Sequence, residues 1–91
     1  GLMKYIAKYT NQFRKDFKLC LKRGYNMQLL KEIMLALENR EELIERIRDH
    51  SLFGNYIGYR ECHIQSDWLL IYQIHSDVIV FDRTGTHSDL F

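Results

Sequence analysis

Tyr59-Arg60-Glu61-Cys62-His63-Ile64-Gln65-Ser66-Asp67-Trp68-Leu69-Leu70-Ile71-Tyr72-Gln73-Ile74-His75-Ser76-Asp77-Val78-Ile79-Val80-Phe81-Asp82-Arg83 is the stretch that decides the fold. Three runs rich in β-branched and aromatic residues, 59–64, 68–74 and 78–83, suit strands. Gln65-Ser66 and His75-Ser76-Asp77 separate them, and links this short imply antiparallel neighbours. The middle run, Trp68 to Tyr72, is apolar at consecutive positions and therefore on both faces, which predicts the centre of the sheet. Working outward, residues 4–9 are short and rich in Tyr and Ile, as expected of a first strand. Thr10 or Asn11 offers an N-cap to a helix in which Phe13, Phe17, Cys20 and Leu21 recur at helical spacing, and Gly24 supplies its stop. Asn26 can cap a second helix with an apolar stripe of Leu30, Ile33, Met34 and Leu37. The short link around Gly24 predicts an antiparallel hairpin of the two. Within residues 39–58, Leu43, Ile44 and Ile47 hint at a further helical turn before Gly54 and Gly58 break regularity. Helices first and strands afterwards is the α+β pattern: two N-terminal helices packed on a largely antiparallel sheet of about four strands. The other sheet face, with the C-terminal tail, is left for binding.

At 91 residues the chain supports one domain, because a chain of this size buries only about 60–65% of its unfolded surface. A large internal pocket is not expected, so a bulky substrate has to lie on the surface. No apolar run approaches the roughly 18 residues of a membrane span, and nothing at the start resembles a signal peptide. Gly1-Leu2 before Met3 reads as a cloning remnant, giving a single domain over residues 3–91 and a cytoplasmic expectation. Cys20 and Cys62 form neither a disulfide framework nor a zinc spacing and read as buried thiols.

The net charge is +1, but unevenly spread. Up to Lys31 there are eight basic residues against one acid, Asp16. Residues 32–49 reverse the sign, with six acids against three arginines. Arg14, Lys15, Lys18 and Lys22 share one face of the first helix, a patch suited to a polyanion, although such runs are more often solvated helix faces.

The candidate site lies at the strand ends. His63 ends one strand and Asp67 begins the next. A loop of effectively three residues would set them opposite each other, Cβ atoms about 5 Å apart, whereas a two-residue loop would pair His63 with Trp68. Arg83 ends the last strand, and Gly85 lets the chain turn before His87. Attack of a 2′-hydroxyl on RNA needs a base, an acid for the departing 5′ oxygen, and a cation for the charge on phosphorus. Two imidazoles can hold opposite protonation states near neutrality, and guanidinium can grip two phosphate oxygens. Asp67 could orient a neighbouring imidazole, raise its pKa or accept the proton. The scheme calls for no metal and no cofactor. His63, Asp67 and His87 could be ligands instead, but they lack a compact ligand motif.

Each residue also has a plainer explanation. His63 can be a strand-end surface residue, Asp67 a turn former, Arg83 a salt-bridge donor and His87 a tail residue. Trp68 is by default a core anchor and Phe91 a pin for the terminus, although both could stack on bases. His50 falls in the irregular connector, and His75 in a turn.

Arg48-Asp49-His50, Gly58-Tyr59-Arg60-Glu61-Cys62-His63-Ile64, Asp67-Trp68-Leu69-Leu70-Ile71-Tyr72 and Arg83-Thr84-Gly85-Thr86-His87-Ser88-Asp89-Leu90-Phe91 together resemble the YafQ branch of the RelE/ParE toxin superfamily. The blocks fall in the family's order and span residues 3–91. The resemblance implies a RelE-type microbial ribonuclease fold and a ribosome-dependent endoribonuclease that cuts messenger RNA in the decoding site. It also implies silencing by a cognate antitoxin, expected to be of the ribbon-helix-helix type. By motif position it implies functional roles for His50, His63, Asp67, Trp68, Arg83, His87 and Phe91. The expected assignment is Asp67 with His63 on the base side, His87 as acid and Arg83 on the phosphate, with base and acid exchangeable. Lys15, Lys18 and Lys22 are expected on ribosomal RNA. The alternative is a ParE-like toxin that binds DNA gyrase without chemistry, which would not need the histidine and aspartate set.

Overall fold

The computed structural model describes residues 4–41, 50–51 and 58–91, with His50 and Ser51 by their backbone alone. The expected turn at Leu43, Ile44 and Ile47 lies outside the described residues. The order is β1 (Ile6–Tyr9), α1 (Asn11–Lys22), α2 (Met27–Glu38), β2 (His50–Ser51), β3 (Arg60–Gln65), β4 (Trp68–His75), β5 (Val78–Gly85) and α3 (His87–Leu90). The sheet runs β1-β5-β4-β3-β2. β2 to β5 are antiparallel neighbours in sequence, whereas β1 lies parallel to β5 at the edge. The α+β expectation and the central place of β4 hold. Among the described residues there are five strands rather than about four, the fifth being the two-residue β2.

Local chemistry starts and stops the helices where the residues predicted. The Thr10 hydroxyl accepts the Phe13 N–H at 2.9 Å and donates to the Asp82 carbonyl at 2.9 Å, so this N-cap also fixes α1 to β5. Asn26 caps α2 by accepting from Gln28 N–H. Gly24, at φ +81°, ends α1 in the left-handed conformation open to glycine. The stripe of Leu30, Ile33, Met34 and Leu37 is buried. On α1 the inward face is Phe13, Asp16, Phe17 and Cys20; Leu21, expected inside, is 59% exposed. Positions 13, 16, 17 and 20 are one helical stripe, and Leu21 is turned some 100° from Cys20.

Alternation along β4 builds two cores. Trp68, Leu70 and Tyr72 face the helices together with Cys62, Ile64, Ile79 and Phe81, whereas Leu69 and Ile71 face the other way and are covered by Leu90 and Tyr59. Part of the sheet face expected to be open is thus roofed by the tail. Both cysteines are buried and free, and burial pushes the Cys20 thiol up to about 11, which keeps it protonated at neutral pH. No helix among the described residues is long and apolar enough to cross a membrane.

Candidate active site

The β3–β4 hairpin turns at Ser66-Asp67, with Gln65 opposite Trp68 and His63 opposite Leu69. A bulge between His63 and Gln65 adds a residue to β3, so neither simple parity holds and His63 faces neither Asp67 nor Trp68. Asp67 is left in the turn, where it meets the tail instead.

The tail is shaped by its own residues. Thr86 and Asp89 form a capping box: the Asp89 N–H donates to the Thr86 hydroxyl, and the Thr86 N–H donates to Asp89 Oδ2. Arg23, at the end of α1, grips the same carboxylate with both terminal nitrogens, at 2.7 and 3.1 Å. These contacts hold the Asp89 carboxyl far below the usual carboxylate range, the Arg23 guanidinium being the largest cause. Leu90 then anchors α3 on Leu69 and Ile71.

So placed, His87 reaches Asp67. Its backbone N–H donates to Asp67 Oδ1 at 2.9 Å, and its ring Nδ1 stands 2.6 Å from the same oxygen. The backbone N–H and then the ring lower the Asp67 carboxyl below its ordinary value, so it is ionised at neutral pH. An ionised carboxylate only accepts, which makes Nδ1 the donor and leaves Nε2 as the nitrogen that can exchange a proton. Both side chains are more than half exposed, at 55% for His87 and 60% for Asp67. The centroid of the His87 ring lies 6.0 Å from that of His63 and 6.3 Å from that of Phe91. Phe91 is 60% exposed.

Register fills in the rest. Ile71 pairs with Arg83 on one side and Glu61 on the other, and Glu61 pairs with His50. Residues directly opposite share a face, so Arg83, Glu61 and His50 stand in one row across the sheet. A bulge between Ile71 and Tyr72 leaves Asp82 as the extra residue and puts Arg83 in the row of Ile71, on the face away from the helices. Arg83 is not gathered against the His87–Asp67 pair but paired with Asp16 of α1, Nε at 2.7 Å and Nη2 at 3.2 Å. His50 is fixed only by its backbone place in β2.

Asp67 partners His87 rather than His63. Trp68 is 2% exposed and its indole N–H donates to the Thr84 hydroxyl at 2.9 Å, so its ring is a core anchor with no face to offer a base. Glu61, missed in the sequence, is 6% exposed with Oε1 3.8 Å from His63 Nε2. Its signal was present, since a residue two before His63 on a strand shares its face. Lys15, Lys18 and Lys22 are all exposed on α1.

The model of a family described as "Bacterial toxin of type II toxin-antitoxin system, YafQ" matches residues 5–91. The chain belongs to the YafQ toxin family. Within that family, the chain is 43% identical over 84 residues to an Escherichia coli K12 protein named mRNA interferase toxin YafQ, covering 91% of each. A crystal structure of YafQ from Escherichia coli BL21(DE3) superposes with a TM-score of 0.92 at 39% identity, covering 97% of this chain and 99% of that one. The toxin of the Escherichia coli DinJ-YafQ toxin-antitoxin complex superposes with a TM-score of 0.91 at 40% identity, over 98% of this chain and 99% of that one.

Proposed function

We propose that this YafQ-family toxin is an mRNA interferase, an endoribonuclease that cuts messenger RNA on the ribosome by metal-independent acid–base chemistry. The observation that carries the reading is the exposed His87–Asp67 pair, flanked by the His63 and Phe91 rings. Asp67 orients His87 and commits Nδ1, so Nε2 protonates the departing 5′ oxygen; His63, beside Glu61, takes the 2′ proton. Arg83 stabilises charge on the phosphorus, and Phe91 stacks on a base beside the scissile bond. His50, whose backbone pairs with that of Glu61, is the further residue assigned to the site by motif position. Lys15, Lys18 and Lys22 hold ribosomal RNA through phosphates, which supplies affinity that so small a protein cannot draw from a pocket.

A cognate antitoxin would silence the toxin. An open apolar groove of about 610 Å³ runs between α1 and α2, lined by Tyr9, Phe13, Phe17, Met34 and Leu35 and by charged Arg14, Lys18, Lys31 and Glu38. Three of those four charges are positive, which suits an amphipathic segment with acidic residues. Inhibition of gyrase is the weaker reading, because it gives the His87–Asp67 pair nothing to do.

Cleavage of mRNA in a purified translation reaction, mapped at both product ends, tests the proposal. A 2′,3′-cyclic phosphate end, a loss of roughly 10²-fold or more in His87→Ala, and indifference to chelation that leaves ribosomes intact are expected. Wild-type rates in His87→Ala, or loss of cleavage on chelation, would defeat the mechanism.

A further inference from the structure

Asp16 is the single acid among the eight basic residues of the first 31, and it points inward. It is 6% exposed, on the stripe otherwise formed by Phe13, Phe17 and Cys20. An acid so placed is costly unless donors surround it. Four do. Arg83 Nε and Nη2 donate at 2.7 and 3.2 Å, the Thr84 backbone N–H at 3.1 Å, and Gln12 Nε2 at 3.0 Å. Thr84 is itself locked, accepting from Trp68 and donating to the Leu69 carbonyl at 2.8 Å.

The location follows from topology. β1 pairs with β5 only as far as Tyr9 opposite Phe81, so among the described residues the backbone N–H groups beyond Phe81 have no strand partner on that side. Asp16 covers this edge and takes up one of them. The same carboxylate holds Arg83 by one side of its fork, and Nη1 takes no part in the pair. Two parallel N–H···O bonds fix the guanidinium plane as well as its position. An unbraced arginine would otherwise lose rotamer freedom each time it met a phosphate.

We infer that Asp16 is a positioning residue for Arg83, holding its guanidinium preset for the scissile phosphate. The inference rests on the reading of Arg83 as the phosphate-stabilising group. Pre-orientation lowers the barrier without tightening ground-state binding, so removing it affects the chemical step and spares ribosome affinity. A purely structural ion pair would show itself in melting temperature alone.

Single-turnover cleavage on ribosomes programmed with a defined mRNA, well below the melting temperature, separates the cases for wild type, Asp16→Asn, Arg83→Ala and the double variant. Asp16→Asn should slow cleavage by roughly tenfold or more with ribosome affinity within about twofold, and the double variant should be no slower than Arg83→Ala, because the two act as a unit. Wild-type cleavage by Asp16→Asn beside a slow Arg83→Ala overturns the inference alone, as do penalties that multiply in the double variant. Wild-type cleavage by Arg83→Ala removes the reading of Arg83 and the inference with it. If Asp16→Asn does not fold, NMR hydrogen exchange of arginine Nε–H in the wild type decides. Arg83 should exchange at least about tenfold more slowly than the exposed Arg14, and equal rates would refute the grip.

Discussion

Replacing Gly85 by alanine should detach the C-terminal tail. A Cβ at this position, where φ is +157°, would stand 2.8 Å from Asp89 Oδ2 and 3.0 Å from Asp89 Cβ. Neither atom can yield easily, because Oδ2 already accepts from Thr86 and Arg23. Backbone strain of about 1–3 kcal/mol at such a φ adds to about 1 kcal/mol for a broken cap. Against that, α3 is held by burial of Leu90, about 2 kcal/mol, and by the same cap. The two sides are comparable, so the strain is relieved by releasing α3 rather than by unfolding the sheet. The global loss is then limited to what held α3, about 3 kcal/mol, or roughly 12–24 °C in Tm for a domain of this size. His87 leaves Asp67, and cleavage should fall by roughly tenfold or more. Thermal melting, amide exchange over residues 86–91 and single-turnover cleavage measure the three effects. Unchanged Tm with native protection of the His87 to Phe91 amides would refute the reasoning.

Other perturbations act at separate places. Lys15→Glu, Lys18→Glu and Lys22→Glu together should weaken ribosome binding and flatten its salt dependence without unfolding the protein; unchanged affinity at physiological salt would make the patch a solvated face. Trp68→Phe removes the donor to the buried Thr84 hydroxyl and should cost about 1–2 kcal/mol in denaturant unfolding; a selective loss of RNA binding at unaltered stability would contradict its place in the core. Burial raises the Asp82 carboxyl above its ordinary value despite two hydrogen bonds from Gln73. A raised folded-state carboxyl loses stability as pH rises through its folded value. Asp82→Asn should therefore melt higher at pH 7, with the gain vanishing as pH falls toward about 4, the ordinary value; a gain that grows in acid would reverse the sign.

Much of the fold is local chemistry and could be read directly. The spacing of Leu30, Ile33, Met34 and Leu37, the cap at Asn26 and the stop at Gly24 depend on neighbours a few residues away and stand as predicted, and of the two candidate caps of α1, Thr10 and Asn11, it is Thr10 that serves. The three strands of residues 59–83 follow from their own composition and short turns, and the double-sided apolar run Trp68 to Tyr72 marks the centre of the sheet. The chemical types needed at the site, two imidazoles, a carboxylate and a guanidinium, were legible too. Their partners were not. Asp67 and His87 lie 20 positions apart and meet only because the hairpin turn and the capped tail end at the same corner. Arg83 and Asp16, 67 positions apart, meet only where β1 stops short and uncovers the edge of β5. Two bulges, at His63–Gln65 and Ile71–Tyr72, each shift the facing of a site residue, and period-two alternation carries no sign of where an extra residue will be inserted. Helical spacing likewise could not tell that Asp16 belongs inside and Leu21 outside, because that depends on the donors β5 offers from across the molecule. The sequence by itself determined which segments become helix or strand and which reactive groups are present, since those follow from neighbours along the chain; the tertiary structure alone decided which carboxylate each cation meets, since those contacts exist only once distant segments pack.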